Sequence, residues 1–250
     1  MENTSIFTNW TFWAVVISSI ALILSQLPPV LFWFKRERIK LETYSRIYID
    51  HKIGNPSIQM YLDIINVGGR LARIDKIVID ISRDSVRVKR LLAQTYLQNQ
   101  SDKDAVLFNG INLRINEQWS HIINFSDFIT RDNEKKLRLA IAEIREEINK
   151  KLAIPDNKGK VVEAEKNFVA PFIDIHNETF IWKPGDYRID IIIETRNRKA
   201  NLEESFRFTL FESDSKELEN LKEKYKTGDG VFWDSSNTKG LIVPIEKLSK

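Results

Sequence analysis

The sequence predicts one apolar helix followed by a mainly β (α+β) domain: two packed sheets with an inserted amphipathic helix, or alternatively a closed β-barrel. Three observations predict it. No residue from Asn3 to Phe34 is charged, and basic residues follow at once. From Tyr44 onward, apolar residues recur at every second position in several short runs. One stretch in the middle switches to a helical period of three and four.

The composition bounds the rest. At 250 residues, 42% hydrophobic and 29% charged, the chain suits one large or two small globular domains. The formal net charge is +3, of which Glu2 and residues 35–40 supply +2, leaving +1 for residues 41–250. A general nucleic-acid binder spreads Lys and Arg over a face of its domain, so no nucleic-acid partner is expected. Cysteine is absent, which excludes disulfides, thiolate metal sites and thiol nucleophiles.

Residues 10–34 come first. A hydrocarbon core of roughly 30 Å takes about 20 apolar helical residues, and this run supplies them. Trp10, Phe12 and Trp13 lie at one end and Phe32, Trp33 and Phe34 at the other, as aromatic belts do at headgroup boundaries. Pro28 and Pro29 break or kink the helix in its last third. A cleaved signal peptide needs a positive segment ahead of its apolar core, and MENTSIFTN has none. By the positive-inside rule, Lys35, Arg36, Arg38 and Lys40 stay cytosolic and can face anionic headgroups. The expectation is a single-pass membrane protein with an outer tail (1–9), a transmembrane helix (10–34), a basic juxtamembrane segment (35–43) and a cytosolic domain (44–250). Ala14, Ser18, Ala21 and Ser25 recur at spacings of four, three and four, a stripe of small residues that suits close helix–helix packing in lipid. A homo-oligomer formed through this helix is the expectation.

The strands follow in order. IQMYLDIIN (58–66) and RIDKIVIDIS (73–82) alternate apolar and polar residues, as half-buried strands do. RVKRLL (87–92), AVLFNGINLRI (105–115) and WSHIINF (119–125) are read the same way. EKKLRLAIAEIREEINKKLAI (134–154) places Leu137, Ile141, Ile144, Ile148 and Leu152 on one stripe, predicting an amphipathic helix over 134–152. Glu134–Arg138, Glu146–Lys150 and Glu147–Lys151 add ion pairs four residues apart. Strands resume over 178–195 and 204–211, and a second helix is predicted near 215–227, ending at Gly228. GVFWD (230–234) and LIVPIEKL (241–248) are apolar enough to pack back on the domain.

Within KPGDYRIDIIIET, Pro184-Gly185 suits a tight turn, and Tyr187 opens the strand behind it. This corner resembles immunoglobulin-like β-sandwich domains over residues 55–82 and 178–211. The resemblance implies a corner tyrosine at Tyr187 that bonds back to the chain upstream. The helix at 134–152 is then an insertion.

Chemistry is harder to find. His51, His121 and His176 lie far apart, in no metal-ligand spacing. No GxSxG occurs, and KTGDG (226–230) lacks the order of a phosphate loop. Neither an enzyme nor a cofactor is expected. Glu146-Glu147 and Glu203-Glu204 are consecutive and cannot converge on one atom. RDSVRVKR (83–90) gathers Arg83, Arg87, Lys89 and Arg90 around a turn and a strand, either as an anion-binding cluster or as a charged, protected edge. Trp119, Trp182 and Trp233 are read as packing groups.

The functional expectation is therefore a membrane-anchored cytosolic module that recognises another protein. The alternative is a membrane effector whose β-domain senses a small ligand, such as a nucleotide signal, and clusters its transmembrane helices. In that outline the chain is similar to membrane-anchored β-barrel effectors of bacterial antiviral signalling, which typically carry two spans where this chain has one.

Overall fold

The computed structural model describes residues 10–26, 36–99, 104–127, 131–234 and 240–248. Twelve strands belong to one antiparallel sheet: β1 Ile39–Thr43, β2 Arg46–Lys52, β3 Asn55–Asn66, β4 Ala72–Arg83, β5 Val86–Leu97, β6 Val106–Leu107, β7 Ile111–Leu113, β8 Gln118–Ser126, β9 Gly185–Thr195, β10 Leu202–Leu210, β11 Leu241–Pro244 and β12 Glu246–Lys247. The alternation in sequence becomes alternation in burial. Every second residue of β3 from Pro56 to Asn66 is buried, and β9 repeats this from Tyr187 to Thr195, as a sheet with one covered face requires.

The sheet follows the path β11-β2-β3-β8-β5-β4-β9-β10-β12. Its two ends, β11 and β12, are consecutive pieces of residues 241–247. Leu241–Pro244 pair with β2, and Glu246 and Lys247 pair with β10. Ile245 between them donates its amide to Ser45 O at 2.9 Å. The C-terminal segment thus spans the seam between β2 and β10, and the sheet is a nearly closed barrel. The two separate sheets of an immunoglobulin-like sandwich do not form. Twelve-residue strands run through the positions where sandwich strands would end, and bulges at Ile74/Lys76, Ile81/Ser82 and Ala93/Thr95 bend them around one interior.

That interior is filled. Ile49, Ile58, Leu62, Ile64, Ile79, Ile81, Phe125, Trp182, Ile189 and Ile191 are among its buried residues. The Tyr187 hydroxyl lies 2.8 Å from Ile181 O and 2.7 Å from Lys183 O, so the corner expected at PGDY is present in a barrel. Gly185 takes φ 145° there, as the first residue of β9. β1 falls inside the stretch expected to be juxtamembrane, because Ile39 and Leu41 are core residues.

A helical cap closes one end, which we call the far end. It comprises α2 (Arg131–Leu152), α3 (Lys166–Thr179), α4 (Glu212–Glu219) and a 3₁₀ turn (Asn220–Thr227). Its own small core contains Ile53, Ala140, Ile144, Ile148, Val169, Phe172 and Tyr225. All three predicted i,i+4 ion pairs of α2 form, at 2.6–3.0 Å. The second predicted helix is α4 continued by the 3₁₀ turn, with Gly228 at φ 79° as its left-handed stop. α3 has no counterpart in the sequence reading, and residues 180–184 precede the strand that was expected to begin at 178.

The N-terminal helix, α1 (Trp10–Gln26), exposes Val15, Ile17, Leu22, Ile23 and Leu24. Its 17 residues reach about 25 Å at the helical rise. Among the described residues, no helix is long and apolar enough to cross a membrane. The remainder of the predicted span, including Pro28, Pro29 and the aromatic trio Phe32–Phe34, lies outside the described residues, as does Lys35.

Candidate functional site

The four cations of residues 83–90 sit at the far ends of β4 and β5, but they do not converge. The bulge at Ile81/Ser82 places Arg87 opposite Ser82 and Arg90 opposite Asp80. Arg87 and Arg90, three residues apart, therefore reach the same carboxylate: Arg87 lies 2.7 Å from Asp80 Oδ1, and Arg90 chelates both oxygens at 2.7 and 2.5 Å. Arg90 holds the Asp80 carboxyl below its ordinary range. Lys89 faces the other way, opposite the buried Ile81, and pairs with Asp127 at 2.6 Å. Arg83 lies 3.6 Å from Asp84. The cluster is a set of satisfied ion pairs on the barrel wall.

Ala14, Ser18, Ala21 and Ser25 are exposed on one face of α1, and Ser25 donates to Leu22 O within its own helix. Arg36 and Arg38 are exposed, and their carbonyls accept from Gly69 and Val67. Lys40 is on β1 and pairs with Glu42. Of the tryptophans, Trp182 is buried and donates to Asp50 O at 3.0 Å. Trp119 packs against Tyr96, Phe108 and His121, and Trp233 donates to Thr227 O at 3.1 Å. His121 Nδ1 is 3.0 Å from Leu97 O.

The other two histidines, 125 positions apart, meet at the junction of barrel and cap. The rings of His51 and His176 are edge to face, 4.5 Å apart. His176 Nδ1 lies 2.8 Å from the Tyr225 hydroxyl, and His51 Nε2 lies 3.3 Å from Thr179 Oγ1. His51 Nδ1 and His176 Nε2 have no partner among the described residues. Burial lowers the pKa of His51 to about 3 and that of His176 to about 4, so both are neutral at pH 7. Asp50 beside them accepts the His51 amide at 2.7 Å, and burial raises its pKa. Among the described residues no group of three or more His, Asp or Glu is placed to hold a metal ion. This junction joins the cap to the barrel.

The surface that could act on a partner is a different one, and the sequence reading missed it. On the outer wall, Ile242 of β11, Tyr48 of β2 and Gln59 of β3 stand side by side in register. Tyr61 stands beside Ile122 in the next row, and Tyr44 and Arg46 close one side. Together they line a groove of about 650 Å³. Ile242 is 66% and Tyr44 64% exposed. Tyr48 is fixed by accepting the Gly240 amide at 2.7 Å, and burial raises its pKa. Tyr44, Tyr48 and Tyr61 are spread over three segments whose pairing is long-range, so no local pattern announces the groove. No protein-family model matches the chain, and no curated protein matches it.

Proposed function

We propose that this chain is a membrane-tethered recognition module whose tyrosine groove binds another protein. The observation that carries the reading is the groove's composition. Three tyrosines, an arginine and two isoleucines share one outward face of a barrel whose interior is already filled with side chains. Tyrosine and arginine dominate binding energy at protein interfaces, because each supplies a large contact area with a polar handle. Ile242, on the strand at the margin of that face, is left 66% exposed and can anchor a partner's side chain. The tether is supported by α1 and by the uncharged residues that follow it as far as Phe34. Val15, Ile17 and Leu22 of α1 are exposed, and in this reading lipid covers them. The basic residues 35–40 favour a cytosolic barrel, and the small-residue face of α1 favours association between copies in the membrane.

The test uses a photo-crosslinking amino acid at Tyr44 or at Ile242 in the full chain, with Lys158 on the cap as control. A discrete protein adduct from both groove positions, absent at 158 and abolished by Tyr61→Asp, is the expected result. Equal adducts at all three positions, or none at the groove, would overturn the reading.

A further inference from the structure

We infer that the barrel stands on its near end and docks that end on anionic lipid headgroups. This rests on the membrane-tether reading above. The near end is opposite the helical cap, and three connections that are distant in sequence meet there: β3–β4, β7–β8 and β9–β10. Residues 36–38 lead into β1 at the same end, held there by the bonds from Val67 to Arg38 O and from Gly69 to Arg36 O. The tether thus enters the domain at this near end.

The charge at this end is net positive, its basic residues outnumbering Glu37, Asp75 and Glu117. Arg36, Arg38, Arg70, Arg114, Arg198 and Lys199 are all exposed. None of the six has an ion-pair partner among the described residues. Arg73 and Arg196 add two more cations, sharing Asp75 at 2.9 and 3.9 Å. The Glu117 carboxylate is engaged by the Arg114 amide. Six exposed cations without an ion pair among the described residues thus share this end, in contrast to Arg83, Arg87, Lys89 and Arg90, each of which has a carboxylate partner.

The tips of two connections are apolar as well as basic. Leu71, beside Arg70, is 56% exposed, and Ile115, beside Arg114, is 41% exposed. Basic side chains bind the negative surface of a leaflet, and apolar tips enter the boundary beneath the headgroups. Arg36, Arg38 and Lys199 also line a cleft of about 640 Å³, which they share with Glu37. The tether reinforces the docking. Ten Cα steps separate Gln26 from Arg36, so the rim stays within about 35 Å of the end of α1.

The test is hydrogen exchange of the full chain in lipid nanodiscs, of phosphatidylcholine alone or with about a third phosphatidylserine, a proportion that charges the surface enough to attract basic side chains. Segments 69–71 and 114–116 are expected to exchange severalfold more slowly in the anionic discs, with 156–160 on the cap unchanged. The slowing should vanish in the variant R70S/R114S/R198S/K199S. It should weaken in L71S/I115S, a second variant altered only at two exposed tips. Equal exchange in the two discs, or slowing that survives loss of the four cations, would overturn the docking. Alkaline carbonate extraction separates this outcome from the tether reading. A chain that washes out yet still shows anionic-specific slowing at both tips removes the tether and leaves the docking, whereas a retained chain without slowing does the reverse.

Discussion

The hydroxyl of Tyr225, from the cap, lies 2.8 Å from Nδ1 of His176 in a pocket where neither residue is more than 2% exposed. Burial holds His176 and its neighbour His51 neutral, which makes the junction of barrel and cap sensitive to acid. In the unfolded chain both imidazoles take a proton near pH 6.5. In the fold they resist it until about pH 4 and pH 3. Over that window the unfolded state binds more protons, so stability is intact above pH 6.5 and falls as pH drops. The ceiling is about 1.4 kcal/mol per pH unit for each histidine. Asp50 acts in the opposite sense: its raised pKa lets the folded state keep a proton that the unfolded state has released. Urea midpoints measured from pH 7 to pH 4 should therefore decline. His176→Asn, which keeps a polar atom near Tyr225 and discards the unpartnered Nε2, should flatten the decline. An equally steep decline in the variant would remove His176 from this account.

Tyr187 ties the entry of β9 to the chain behind it. Its hydroxyl lies 2.8 Å from Ile181 O and 2.7 Å from Lys183 O, its ring stacks on Phe208 at 4.9 Å, and burial pushes the phenol up to about 12. Tyr187→Phe keeps the stacking and deletes the bond. The expected cost is about 1–2 kcal/mol, the price of a buried hydrogen bond, read from urea unfolding. A loss below a few tenths of a kcal/mol would mean that water replaces the hydroxyl.

Gly68 is needed for a close approach. A Cβ at this position would meet Arg38 N at 2.5 Å and Arg36 O at 2.6 Å, both backbone atoms that cannot step aside alone. Gly68→Ala should destabilise the fold by about 1–3 kcal/mol through overpacking. It should also release residues 36–38 to proteolysis before the rest of the domain. Gly159→Ala is the comparison: nothing lies within 4 Å of its Cβ position, and φ is +77°, so it should cost only the left-handed strain of about 1 kcal/mol. If residues 36–38 were cleaved no sooner in Gly68→Ala than in Gly159→Ala, the packing argument would fail.

What the sequence disclosed follows from the range of each interaction. The stripe and ion pairs of α2 and the alternation of β3 and β9 depend on neighbours within four residues, and they were legible. α3 was missed because Pro171 interrupts KNFVAPFIDIHNET, although Val169, Phe172 and His176 keep a helical spacing on its buried face. β1 was hidden because Ile39 and Leu41 alternate within a basic stretch. Arg87 and Arg90 were legible as a cluster but not as partners of Asp80, since only a bulge turns both to the same side. The tyrosine groove, the histidine junction and the basic near end arise from long-range pairing, which no local period encodes. Sandwich and barrel also share their local patterns, and residues 241–247 decide between them.

That seam gives the last prediction. Residues 241–247 supply both ends of the sheet's path, pairing with β2 through Leu241–Pro244 and with β10 through Glu246 and Lys247. Val243 and Ile245 turn inward and are 5% and 6% exposed. Without this segment β2 and β10 would present unpaired edges, the feature that recruits strands from other molecules, and the interior would open along the seam. A chain ending at Gly240 should therefore lose cooperative thermal unfolding and aggregate at temperatures where the full chain stays clear. Val243→Ala is the gentle counterpart. It leaves the backbone pairing intact and removes two buried methyl groups, so it should cost about 1–3 kcal/mol without aggregation. Ile242→Ala, next to it but pointing outward at 66% exposure, should leave the melting temperature nearly unchanged. If the truncated chain instead melted as sharply as the full chain, the barrel would close without its C-terminal strand. The seam would then be an addition to a sheet already complete.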